Sequence, residues 1–208
     1  MTIEFHKIDE KLLEPAFELA TEVFINRSTL HKALRIGLDD YRTYIRPSFE
    51  GMVAEGYSIA AVDIDTGTLI GCMIVTDFFD QLKNLPDQTG VFAALGALTH
   101  SLRQQYLQKD TVQPGEALLI DMGIVADAGS GRGIYQQMRA LVQVTAREAG
   151  YRLLIGELSS YATQHVVLEK LGHRKRAEIA FDTFRYGEDF PFRSITEPKS
   201  IILAEGSL

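Results

Sequence analysis

The glycine-rich turn Gly129-Ser130-Gly131-Arg132-Gly133 follows the apolar run LLIDMGIV at 118–125 and opens a segment that reads as a helix. Alternate glycines leave the backbone N–H groups unshielded, and a helix starting there adds its dipole. Such a turn can hold a phosphate or pyrophosphate. One carboxylate, Asp121, stands inside the apolar run. Burying it uncompensated is costly, so it is ion-paired, edge-exposed or used in proton transfer.

Several kinds of site use a glycine turn. A P-loop needs GxxxxGK followed by Ser or Thr, and no Lys follows these glycines. A dinucleotide fingerprint needs GxGxxG, but counting from Gly129 puts Ile134 at the third glycine position. Glu157, ending the next apolar run, is the acidic residue that reading would use for a ribose. The plainest alternative is a strand–turn–helix link in which the glycines only let the chain turn. His165 and His173 lack metal-ligand spacing, and no His/Cys cluster supports zinc, so no metal is expected.

These residues need elements to position them. A chain of 208 residues with 46% hydrophobic and 24% charged residues has the composition of a globular protein, most simply one domain spanning 1–208. A net charge of −7 argues against a nucleic-acid partner and is compatible with a cationic substrate such as an amine. The single Cys72 lies in the apolar LIGCMIV and is expected to be a buried, inert thiol. MTIEFHKIDE has no signal-peptide character, and no apolar run approaches the length of a membrane span. The expected location is the cytoplasm, without a membrane partner.

Helices and strands alternate along the chain. Residues 3–8 predict a first strand, and 12–24 carry Leu13, Ala16, Phe17, Ala20, Val23 and Phe24 at helical spacing. Residues 29–55 predict one or two helices interrupted at Gly37 and Pro47. Residues 57–63 and 69–76 are β-rich and joined by the turn Asp65-Thr66-Gly67. Residues 87–108 read as helical from near Gly90. There follow a strand at 117–125, a helix at 133–150 closed by Gly150, a strand at 151–158 and a helix at 160–171 stopped by Gly172. Strands at 175–185 and 200–205 are expected to pair antiparallel.

The stretch 118–135 resembles the core motif of the GNAT superfamily of acyl-CoA-dependent N-acyltransferases. That motif is a strand ending in Val, four variable residues, then Arg/Gln-x-x-Gly-x-Gly/Ala. Here the strand ends at Val125 and the six positions are Ser130 to Tyr135, with Ser130 in place of Arg/Gln and Tyr135 in place of the small residue. Residues 169–173, EKLGH, are similar to the family's "EKLGF" helix end. The resemblance implies an α/β fold with a mixed, mostly antiparallel twisted sheet of about seven strands and helices on both faces. It also implies acetyl-CoA as acyl donor, its pantetheine arm lying in a wedge between the fourth and fifth strands. By family position Gly123, Ile124 and Val125 face pantetheine, while Gly131, Arg132, Gly133, Ile134, Tyr135 and Gln136 line the pyrophosphate. Gly123, lacking a side chain, also allows a close approach.

The early helices, the FINRSTL segment and the long helical insert further resemble the insect-type arylalkylamine N-acyltransferases. There the segment reads FFxDEPL and its Glu is the base; Ser28 holds that position here. The family position favours Asp121 as base for direct aminolysis of the thioester by a small amine. The family's usual acid, a Tyr, is replaced by Leu168, leaving Tyr161 and Tyr186 as candidate acids. Phe24, Tyr41, Tyr44, Phe78, Phe79, Phe181, Phe184 and Tyr186 can supply an acceptor pocket, and Asp39, Asp40 or Asp80 can attract an ammonium group. A catalytically silent acyl-CoA-binding protein of the same fold is the alternative, and a homodimer is compatible with either.

Overall fold

The most apolar runs of the chain become the centre of a seven-stranded sheet. The strands are β1 (Ile3–Lys7), β2 (Ile59–Asp63), β3 (Thr68–Asp77), β4 (Ala117–Val125), β5 (Leu153–Leu158), β6 (Arg174–Ala180) and β7 (Ser200–Ser207). The computed structural model describes residues 1–83, 89–109 and 112–208, and in it the strands lie in the order β1-β2-β3-β4-β5-β7-β6. Every neighbouring pair is antiparallel except β4 and β5. The fold is therefore the expected mixed, mostly antiparallel sheet with helices on both faces.

On one face α1 (Glu10–Arg27) and α3 (Leu38–Ala54) bury Phe17, Ala20, Ile45 and Phe49 against Cys72, Ile74, Met122 and Ile124. Beside them α5 (Ala93–Lys109) packs Leu98, Leu102 and Tyr106 over Leu119, Ile155 and Leu203. The opposite face carries α6 (Ile134–Glu148), whose Ile134, Met138, Val142 and Ala146 meet Val75, Leu118, Ile120 and Leu154. These four sit at helical i, i+4 spacing, so one stripe of α6 is apolar and the rest is solvated. Of the short helices, α2 (Thr29–Ala33) packs on α1, α4 (Phe78–Lys83) on β3 and β4, and α7 (Tyr161–Gln164) on β5.

β4 breaks its own alternation. Its register against β3 shifts: Val75 pairs with Ile120 and Ile74 with Met122, leaving Asp121 as the extra residue. Leu118 and Ile120 before the bulge face α6, whereas Met122 and Ile124 after it face α1 and α3. A bulge inserts one unpaired residue and re-aims the side chains beyond it. Asp121 sits at that point.

The observed elements differ from expectation in three places. Pro47 does not interrupt α3 but lies inside it. One missing backbone donor is tolerated because Tyr41, Ile45, Phe49, Met52 and Val53 anchor both halves of the helix in the core. The strand expected at 175–185 ends at Ala180, where the chain turns so that Phe181 and Phe184 pack against Phe192. The helix expected at 160–171 is one α-turn, α7, widening into a π-helical turn over His165–Lys170. Gly90–Phe92 form a 3₁₀ turn leading into α5, and positions 87 and 88 of that expected helix lie outside the described residues. Cys72 is fully buried, which pushes its thiol up to about 12. Among the described residues no helix is long and apolar enough to cross a membrane.

Candidate active site

β4 and β5 pair only from Ala117↔Leu153 to Ile120↔Gly156. Beyond that rung, 121–125 of β4 have no partner on the β5 side, and a wedge opens between the strands. A cavity of about 600 Å³ fills it. Its walls include Asp121, Gly123, Ile124 and Val125 from β4, Gly156, Glu157 and Leu158 from β5, and Ala162, Thr163 and Val166 from the helix beyond. The glycine turn closes its far end through Gly129, Ser130, Gly131, Gly133, Ile134, Tyr135 and Gln136.

The geometry of the turn follows from its glycines. Gly131 and Gly133 adopt φ of 73° and 70°, a region a side chain disfavours. Gly133 is the N-cap of α6 without a side-chain cap bond, and Gln137 is the residue that donates to its carbonyl, at 3.0 Å. The N–H groups of Ile134, Tyr135 and Gln136 thus have no intrahelical acceptor, and all three residues line the cavity. Gly131→Ala should cost about 1–2 kcal/mol through left-handed strain alone, since a Cβ there meets nothing within 4 Å. A urea midpoint unchanged from wild type would refute this.

Gly123 lines the wedge. The space where its side chain would stand is filled by Tyr135, whose Cε2 would lie 2.5 Å from a Cβ built there. The large residue at the motif's last position therefore packs on the strand at Gly123, and the ring takes the room that the missing side chain leaves. Arg132 does not line the wedge. Arg27, from the end of α1, does; it donates to the Val125 carbonyl at 3.0 Å and pairs with Asp127.

At the closed end of the wedge the charges are organised around Asp121. Gln81 donates to Asp121 Oδ1 at 3.3 Å and accepts from Arg103 Nη1 at 2.5 Å. Arg103 forks onto Glu157, with Nε and Nη2 at 2.5 and 3.0 Å from its two oxygens. Arg103 is 3% exposed. Burial pushes the Asp121 carboxyl up to about 6; Arg103 opposes the rise, Glu157 adds to it, and the Gln81 bond opposes it. A carboxylate tuned this way is matched to accept a proton near neutral pH.

A second cavity of about 140 Å³ meets the first at Asp121, Glu157, Phe24, Ser28 and Ser159. It is lined by Tyr41, Tyr44, His31, Leu95 and Thr99 among others. Ser28 caps α2 and sits 2.8 Å from His31 Nδ1, and burial pushes that histidine down to about 4, so it is neutral. Of the aromatics expected around an acceptor, Phe24, Tyr41 and Tyr44 line this chamber. Phe78 and Phe181 are in the core instead.

Several expected residues stand elsewhere. Tyr161 is 61% exposed and stacks on His165, and Tyr186 is 43% exposed in the turn after β6. Neither lines either of these two cavities. Asp39, Asp40 and Asp80 are likewise outside both. Glu157, which the dinucleotide reading needs free, is held by Arg103, and the sheet is not a doubly wound parallel one. Sequence reasoning missed Gln81, Arg103, His31 and Arg139. Arg103 and Tyr106 on the apolar stripe of α5 carried the available signal: a cation among core positions needs a buried partner. Among the described residues no group of His, Cys, Asp and Glu could hold a metal ion.

Solved structures share this architecture over the whole chain. The C-terminal condensation domain of Ebony in complex with beta-alanyl-dopamine superposes with a TM-score of 0.83 at 16% identity, covering 100% of both chains. Arylalkylamine N-acetyltransferase 2 from Aedes aegypti gives 0.82 at 16% identity, covering 100% of this chain and 99% of that one. Polyamine N-acetyltransferase from Drosophila melanogaster, an enzyme that forms N-acetylagmatine, gives 0.79 at 13% identity with 100% coverage of both. At such identities the likeness is one of fold. No protein-family model matches the chain, and no curated protein is similar to it in sequence.

Proposed function

We propose that this chain, which has the GNAT fold, is an acyl-CoA-dependent N-acyltransferase that transfers an acetyl or related acyl group to a small amine. The observation that carries the reading is the stretch 121–125 of β4, open on its β5 side, with a glycine turn at the start of α6 at one end and Asp121 at the other. The diphosphate of the carrier would lie on the N–H groups of Gly131 to Gln136. Its pantetheine arm would run along Val125, Ile124 and Gly123, taking hydrogen bonds that a neighbouring strand would otherwise take. Tyr135 forms the wall over Gly123 against which the arm slides.

The thioester would then reach Asp121, where the two cavities meet. The amine enters through the aromatic chamber. Among the residues lining that chamber, Asp121 and Glu157 outnumber Arg103 by one charge when Asp121 is ionised, which favours a cationic ammonium. Asp121 takes the proton, the amine nitrogen forms a bond to the thioester carbon, and the C–S bond breaks. Unpaired β4 amides can donate to the carbonyl oxygen as it gains charge. An alkyl thiolate with an ordinary pKa of about 8.5 leaves without a dedicated acid. That is consistent with Leu168 at the usual acid position and with the placement of Tyr161 and Tyr186.

Titration calorimetry with CoA and acetyl-CoA tests the reading; both should bind at micromolar concentration. No heat at high micromolar ligand would refute it. A panel of amines assayed for released thiol then separates an enzyme from the silent acyl-CoA-binding alternative, which predicts binding without turnover. Ser28 at the FFxDEPL glutamate position and Leu168 at the usual acid position are the features favouring that alternative.

A further inference from the structure

Arg139 is a buried cation without a counter-ion among the described residues. It lies on α6, is 1% exposed and lines the wedge. No carboxylate among the described residues pairs with it. Its contacts are long: Nη1 donates to the Tyr135 hydroxyl at 3.4 Å and Nη2 to His173 Nδ1 at 3.3 Å, while Nε has no partner. Neither contact carries charge, because burial, reinforced by Arg139, pushes His173 down to about 4. Burial also draws Arg139 below its ordinary value. An uncompensated guanidinium in a protein interior is strongly unfavourable.

The surroundings hold it there. The His173 ring fills the space where a Cβ of Gly206 on β7 would stand. The guanidinium lies beside Gly156 of β5, the residue opposite Ile120 in the last paired rung. A Cβ on Gly156 would lie 3.6 and 3.9 Å from Nη1 and Nη2, at van der Waals contact, and 3.3 Å from Leu158 Cδ2. Arg139 thus faces the closed end of the wedge. The glycine turn is at the other end, about 13 Å away along β4 at ordinary strand rise. A carrier anchored by its diphosphate at the turn presents its thioester near Asp121, and its acyl chain continues toward Gly156.

We infer that Arg139, with the Tyr135 hydroxyl beside it, binds a carboxylate at the end of the acyl chain, so that the preferred donor is a dicarboxylate monothioester rather than acetyl-CoA. The inference rests on the acyltransferase reading and refines its donor. A carboxylate would accept from Nη1 of Arg139 and from the Tyr135 hydroxyl, whose own proton is free to donate. It would complete an ion pair in a site shielded from water, where such hydrogen bonds are strongest.

Calorimetry on the whole chain with CoA, acetyl-CoA and succinyl-CoA tests this. Succinyl-CoA should bind at least tenfold tighter than acetyl-CoA, and Arg139→Met should abolish that preference while still binding CoA. The ligand-free Arg139→Met protein should melt at or above the wild-type temperature, because removing an unpaired buried charge relieves a penalty. Equal affinity for the two thioesters overturns the inference while leaving the acyltransferase reading intact. A melting temperature several degrees lower in Arg139→Met also overturns it, since the arginine would then be structural. If no thioester binds, the acyltransferase reading fails and this inference with it. The wild-type comparison needs no variant, so it stands even where Arg139→Met fails to fold.

Discussion

Asp121→Asn should lower kcat by about 10²- to 10⁴-fold, the range that one positioned base supplies, with CoA affinity unchanged. The wild-type kcat at saturating amine should rise tenfold per pH unit below about 6 and level off above it. The carboxyl is pushed up to about 6, and only its ionised form accepts the ammonium proton. Stability runs the other way. The folded-state value lies above the ordinary 3.8, so folding favours the protonated form. That contribution is complete below pH 3.8 and is lost as pH rises through about 6. Asp121→Asn should therefore be as stable as wild type at pH 8, or more so. Urea denaturation beside steady-state kinetics checks both halves, and a variant that keeps most of its kcat removes Asp121 from the mechanism.

Arg103→Met should cost about 3–5 kcal/mol of stability at pH 8, the penalty for breaking a buried ion pair by deleting one partner. Arg103 is 3% exposed and Glu157's side chain 13%, so water screens the pair poorly. The substitution leaves Glu157 and Asp121 as neighbouring carboxylates with no cation between them. Arg103 holds Asp121 down, so its loss should move the Asp121 titration upward and shift the kcat profile to higher pH. The stability deficit should shrink on acidification, because protonating either carboxylate removes the repulsion. Denaturation curves at pH 5 and pH 8 measure this. A deficit under 1 kcal/mol, or one indifferent to pH, would mean that the pair does not organise the site.

The contrast between Asp121 and its partners shows what could be read in advance. Asp121 was legible because a carboxylate inside LLIDMGIV breaks an apolar strand, and an uncompensated charge there demands a use. The glycine turn was legible because backbone chemistry depends on glycine count and position alone. Arg103 sits on another helix and Gln81 on a third element, at separations in sequence that carry no pattern. Tyr161 and Tyr186 illustrate the reverse. Both had suitable chemistry, but the chain turns each toward solvent.

By itself the sequence determined the alternation of strands and helices, the glycine turn between the central strand and the helix after it, the buried thiol and the placement of one carboxylate on the central strand, while the mixed sheet was implied by the GNAT resemblance. The features read from the residues are local properties: side-chain periodicity, glycine freedom and burial cost act within a few residues. Tertiary structure alone decided the rest. The bulge at Asp121 reverses the faces of β4, because register is set by the partner strand rather than by the strand itself. The Tyr135 ring lies on Gly123, and Arg103, Gln81 and Glu157 converge on Asp121. Arg139 is left in the wedge with no carboxylate of the described residues beside it. Each depends on which distant segments share a surface, and electrostatic interactions in a buried site follow distance in space rather than distance along the chain.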